Sequence, residues 1–168
     1  MDTKIYIDDR VAEKWRELAM KRFGYGRGSI SKAAEEAIVM WVENEEKIDA
    51  ALQKLKEIAE KEKGVAALLL FGSYARKEPY HDVDIAIVAP GIANRIAMLE
   101  RFERLVPEHP KFDFVIFDDM PLNMKSRMLS ECKLIYARRG FDIKELAAEL
   151  LQKWSDLKPM LDAPLVEK

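Results

Sequence analysis

The spacing of apolar positions follows one regime before residue 64 and another after it. Residues 3–7 set Thr3, Ile5 and Ile7 against Lys4 and Tyr6, the period-two alternation of a short, half-exposed strand. Asp8 or Asp9 can cap the helix that follows, in which Val11, Trp15, Leu18 and Ala19 recur at helical spacing until Gly24, Gly26 and Gly28 stop it. A second helix starts at Ser29 or Ser31 and aligns Ile30, Ala34, Ala37, Ile38 and Trp41. A charged helix over residues 44–62 then carries Ile48, Leu52, Leu55 and Ala59 as its stripe and ends at Gly64. Beyond it, strand and helix alternate. Strands are expected at 65–71, 83–89, 112–117 and 134–136, with helices at 92–106 and 122–131. Asp142 caps a last amphipathic helix with Leu146, Leu150, Leu151 and Trp154. The pattern describes an α+β chain: a strand–helix–helix head at residues 1–44, then a body at 45–168 opened by a linking helix at 45–63. Trp15, Trp41 and Trp154, all on apolar helical faces, are expected in the core.

Composition narrows the class. The 168 residues suffice for one medium domain, or for a small module joined to a larger one. No apolar run approaches the roughly 20 residues of a membrane span, and the opening Met1-Asp2-Thr3-Lys4 lacks the order of a secretory signal. The single cysteine, Cys132, excludes an internal disulfide and a thiolate metal cluster and fits a reducing cytoplasm. A net charge of −2 argues against a chain coated in nucleic acid but leaves room for a local basic face.

The candidate chemistry lies in Phe71-Gly72-Ser73-Tyr74-Ala75-Arg76 and Asp82-Val83-Asp84-Ile85-Ala86-Ile87. Asp82 and Asp84 stand two apart at a strand start, so they project from one face while Val83, Ile85 and Ile87 anchor the other. Two such carboxylates repel unless a cation sits between them or a proton is shared. Magnesium takes oxygen ligands and commonly uses one or two carboxylates plus nucleotide phosphates. Gly72, lacking a Cβ, lets phosphate approach the amides of the turn and the Ser73 hydroxyl, and Arg76 and Lys77 could offset triphosphate charge. Asp113, in Lys111-Phe112-Asp113-Phe114-Val115, falls beside the pair if the strands lie side by side. Three acids so placed could hold two metals, one activating a hydroxyl and one steadying departing pyrophosphate.

On these residues the chain resembles the minimal nucleotidyltransferases of the DNA-polymerase-β superfamily, including the antitoxin-like members. Their mark is Gly-Ser, a short gap, Asp-x-Asp and a later Asp on a strand. The resemblance covers residues 46–137. It implies a small mixed sheet with packed helices, two magnesium ions, ATP as substrate, and transfer of a nucleotidyl group to a hydroxyl. Gly72 and Ser73 would bind the triphosphate; Asp82, Asp84 and Asp113 would hold the metals. The chain departs from the pattern in having only eight residues, Tyr74 to His81, between Ser73 and Asp82, with Lys77 and His81 where glycine and serine are frequent. The resemblance also implies an antitoxin that adenylylates a small helical ribonuclease toxin. The alternative is a regulator whose fold senses nucleotide or mediates contacts without turnover.

The first strand cannot stand alone, and a second copy of the chain is its simplest partner. Residues 2–43, with Gly28-Ser29-Ile30-Ser31-Lys32 opening the second helix, resemble the ribbon-helix-helix repressors. That family implies a homodimer whose paired strands enter the major groove of operator DNA, with Asp2, Lys4 and Tyr6 facing bases and the backbone at Ser31 and Lys32 holding a phosphate. Between residues 10 and 32, seven basic residues face two acidic ones, which fits such a surface. The bland alternative is a dimerisation module that never touches DNA.

Overall fold

The computed structural model describes residues 4–161. Two compact units are distinguished, residues 1–46 and 47–168.

In the first unit, helix α1 runs Asp9–Phe23. Asp8 caps it: its carboxylate accepts from the amides of Arg10 at 3.0 Å and Val11 at 3.4 Å, satisfying donors that an uncapped helix leaves open. Gly24, at φ +86°, ends the helix in a backbone region that favours glycine. Ser29 then begins α2, Ser29–Lys61. It is the buried polar side chain of the head, and its Oγ donates to the carbonyls of Gly24 at 2.5 Å and Gly26 at 3.0 Å, closing the turn. Arg22 pairs with Glu36 across the two helices.

Two expectations are corrected here. The separate helices expected before and after residue 44 are one 33-residue helix. Glu43-Asn44-Glu45-Glu46-Lys47 contains no glycine or proline to interrupt it, and a change of composition does not break a helix. The expected strand at 3–7 is not formed among the described residues 4–8. A strand needs a neighbour to take its backbone hydrogen bonds, and the single chain offers none there. Ile5, Tyr6 and Ile7 are exposed, and so is Trp41, at 61%, against the expectation of a core residue. Trp154 lies outside the described side chains.

The second unit holds a four-stranded sheet in the order β3-β2-β1-β4. The strands are β1 Ala67–Phe71, β2 Asp82–Val88, β3 Lys111–Ile116 and β4 Lys133–Ala137. β1 pairs antiparallel with both β2 and β4, whereas β2 and β3 run parallel, as a strand–helix–strand crossover through α4 (Arg95–Glu103) requires. The near-continuous apolar run Ala67-Leu68-Leu69-Leu70-Phe71 suits a central strand covered on both faces.

Alternation decides which helices cover which face. Leu68, Leu70, Val83, Ile85, Ile87, Phe112 and Phe114 point to one side, where the stripe Ile48, Leu55, Ala59 of α2 and Met98 and Phe102 of α4 meet them. Leu69, Ala86 and Val88 point to the other, packed with Met128 of α5 (Leu122–Glu131) and Leu150 of α6 (Ile143–Leu161). Asp82, Asp84 and Asp113 share this second face by period, but at the end of the sheet where the buried apolar residues give out.

Candidate active site

The turn after β1 positions the site. A four-residue helical turn, α3 (Gly72–Ala75), follows Phe71 directly, and Phe71 pairs with Asp84 on the neighbouring strand. Gly72 therefore rests against the Asp84 carboxylate. Its φ is +74°, and a Cβ placed there would stand 1.9 Å from Asp84 Oδ2. Both the backbone angle and the close approach demand glycine at this one position.

On the other side of β2, the parallel register sets Asp84 level with Asp113 and Asp82 level with Lys111. Neighbouring strands lie about 4.8 Å apart and alternate residues of one strand about 6.6 Å apart. The Cα positions of Asp82, Asp84, Lys111 and Asp113 thus form a small rectangle at the sheet end. Asp82, Asp84 and Asp113 are each half-buried. Burial pushes the Asp84 carboxyl above its ordinary range, and the charges of Asp82 and then Asp113 push it further, while Arg76 and Lys111 pull back. Lys111 Nζ meets Asp113 Oδ1 at 2.6 Å. That hydrogen bond, with the field of the other acids, raises the Lys111 ammonium above its usual value.

The remaining nucleotide-binding candidates are placed differently. Ser73 is half-buried beside Gly72. The Arg76 guanidinium is engaged by protein carboxylates: Nε donates to Glu78 at 2.9 Å and NH1 to Glu131, at the end of α5, at 3.1 Å. Lys77 is exposed and takes φ +62°, a left-handed geometry that favours glycine. Tyr74 and Tyr80 meet edge to face at 4.8 Å between centroids, bridging the two ends of the short loop that Pro79 stiffens. Sequence reasoning missed Lys111 and the carboxylate partners of Arg76. The first was legible, since a residue two before Asp113 on a strand must share its face; Glu131, 55 residues from Arg76, carried no such signal.

Among the described residues no three His, Cys, Asp or Glu side chains converge closely enough to hold a metal by themselves. Magnesium does not need such a cage; one or two carboxylates with substrate phosphates and water suffice. The donor set fits it: hard oxygens only, an Asp84 carboxyl pushed toward protonation by burial and then by the charges of Asp82 and Asp113, and a glycine that opens the space beside it.

In the head, Lys4, Tyr6, Ser31 and Lys32 are all exposed, Tyr6 to 94%, and Asp2 lies outside the described residues. The Lys32 amide already donates to the Gly28 carbonyl at 2.9 Å. Ile5, Ile7, Trp15, Ala37, Ile38 and Trp41 line an apolar groove of about 460 Å³ within this unit.

Residues 53–140 match the family described as polymerase beta, nucleotidyltransferase. No curated protein sequence is similar enough to count as a relative. Among solved structures, the chain is similar to a crystal structure of a toxin–antitoxin with AMP-PNP, at TM-score 0.50 and 19% identity, covering 71% of this chain and 96% of that one. A mutant of the toxin–antitoxin MntA-HpeT is similar at TM-score 0.50 and 17% identity, with the same coverage. A structure of tri-AMPylated Shewanella oneidensis HEPN toxin in complex with MNT antitoxin is similar at TM-score 0.47 and 19% identity, covering 71% and 93%. At these identities the likeness to the two structures at TM-score 0.50 is one of fold alone. Since that family match spans more than half of this chain, the chain belongs to the polymerase beta nucleotidyltransferase family and is a nucleotidyltransferase.

Proposed function

We propose that this protein transfers AMP from ATP to a hydroxyl of a partner protein, with magnesium at the acid corner, and that its head forms a dimer that binds operator DNA. The observation that carries the catalytic part is the fit of Gly72 against Asp84, with Asp113 level on the next strand. That arrangement leaves an acidic, oxygen-lined corner next to an open turn. Two magnesium ions bound there supply Lewis acidity toward the acceptor hydroxyl and the triphosphate. Asp82, Asp84 and Asp113 would hold the ions, and the proton of the acceptor hydroxyl passes to solvent. Gly72 and Ser73 line the triphosphate, and Lys77 stands exposed beside the turn. The new bond joins the acceptor oxygen to the α-phosphorus of ATP as the bond to pyrophosphate breaks. A toxin as acceptor is supported by the likeness to a toxin–antitoxin solved with AMP-PNP.

For the head, the exposed apolar groove supports a second copy as its cover, and exposed Lys4 and Tyr6 support a base-facing ribbon. The engagement of Arg76 by Glu78 and Glu131 favours the second reading, a regulator without turnover. Radiolabelled ATP, magnesium and the protein encoded by the adjacent gene separate the two. Label on that protein with wild type and none with Asp82→Ala/Asp84→Ala supports the enzyme; equal label in both excludes it. A promoter-fragment shift that survives Lys4→Ala and Tyr6→Ala would remove the ribbon.

A further inference from the structure

Lys111 is the one group of the rectangle that the proposed chemistry leaves without a task. It pairs across β2–β3 with Asp82, and its Nζ lies 2.6 Å from Asp113 Oδ1. Its side chain is 65% exposed, against 41% for Asp113, so the ammonium can leave the carboxylate without crossing packed residues. A cation arriving at Asp113 meets a site already holding a positive charge. Two cations sharing that oxygen at hydrogen-bond distance repel each other by more than thermal energy at about 4 Å even in water, which favours release of the ammonium. The displaced ammonium, on a flexible four-carbon stem anchored at the sheet edge, then faces whatever anion the metal brings with it. A lysine acts on phosphate as a mobile point charge and needs no fixed fork geometry.

We propose that Lys111 is a positioning residue for the acid corner: it occupies Asp113 in the metal-free enzyme, yields that oxygen to the metal, and moves onto the phosphate chain of the incoming nucleotide. The inference rests on the reading of the acids as the metal site. It predicts effects of opposite sign on two ligands, which a merely structural lysine would not produce. Removing the resident ammonium tightens metal binding in the absence of nucleotide and weakens binding of the metal–nucleotide complex.

The test uses the full chain and Mn²⁺ as the probe, read by paramagnetic resonance, first alone and then with AMP-PNP. Lys111→Met should lower the dissociation constant for Mn²⁺ alone by about threefold, the scale of an exposed ion pair, and raise that for AMP-PNP with Mn²⁺ by a similar factor. Lys111→Arg, which keeps the charge, should restore the wild-type Mn²⁺ value. Unchanged constants, or two changes of the same sign, in a Lys111→Met protein that melts as wild type does, would overturn the role of Lys111. Loss of Mn²⁺ binding in Asp84→Asn, with those same constants unmoved by Lys111→Met, would leave the metal site standing and overturn this inference alone. Wild type that binds no Mn²⁺ would overturn both.

Discussion

Gly72 takes φ +74° where the chain leaves β1, and the space its Cβ would fill is held by the Asp84 carboxylate. Gly72→Ala therefore meets two penalties: about 1–2 kcal/mol for a side chain in the left-handed region, and the displacement of Asp84. A urea melt should show at least that loss, and transferase activity should vanish with it. Asp84 carries a linkage of its own. Its folded pKa is raised above the ordinary 3.8, so the folded chain binds the proton more tightly than the unfolded chain does. The contribution is fully present below pH 3.8 and is lost as pH rises through the folded value. At neutral pH the ionised group opposes folding of the metal-free protein. Asp84→Asn should accordingly melt above wild type at pH 7 without metal and lose that advantage at pH 3, while its activity falls by about a hundred- to a thousandfold. Equal melting temperatures at pH 7 would remove the electrostatic account of this corner.

At the scale of elements, α2 has two ends with different environments. Leu55 is fully buried against the sheet, whereas Trp41 is 61% exposed on the same helix. Leu55→Ala should lower stability by about 2–5 kcal/mol, with a midpoint independent of protein concentration. The strands of the second unit were legible from their apolar runs, and the Asp pair, being period-two residues on one of them, was legible with them. The continuity of α2 was not, because a swing in charge resembled a boundary although no glycine or proline stood there. The first strand was expected from sound alternation, but alternation states only which face a strand would bury. Whether the ladder forms depends on a neighbour, which the sequence of one chain does not contain.

At the scale of the whole molecule, the exposed apolar groove of the head and the acid corner of the body are separate assignments, and each fails independently. If a second copy covers the groove, Trp41→Glu should raise the dimer dissociation constant by at least about 30-fold, the measure of a 2 kcal/mol hot spot, in sedimentation equilibrium. Wild type that sediments as a monomer at micromolar concentration would remove the dimer. Neither result bears on the chemistry at Gly72 and the three acids. That chemistry is tested most directly by the position of the transferred label. ATP carrying ³²P at the α-phosphorus should label the partner protein in the presence of magnesium, ATP carrying it at the γ-phosphorus should not, and Asp82→Ala/Asp84→Ala should transfer neither. Label delivered from the γ-position, or from the α-position without the two aspartates, would contradict nucleotidyl transfer at this site.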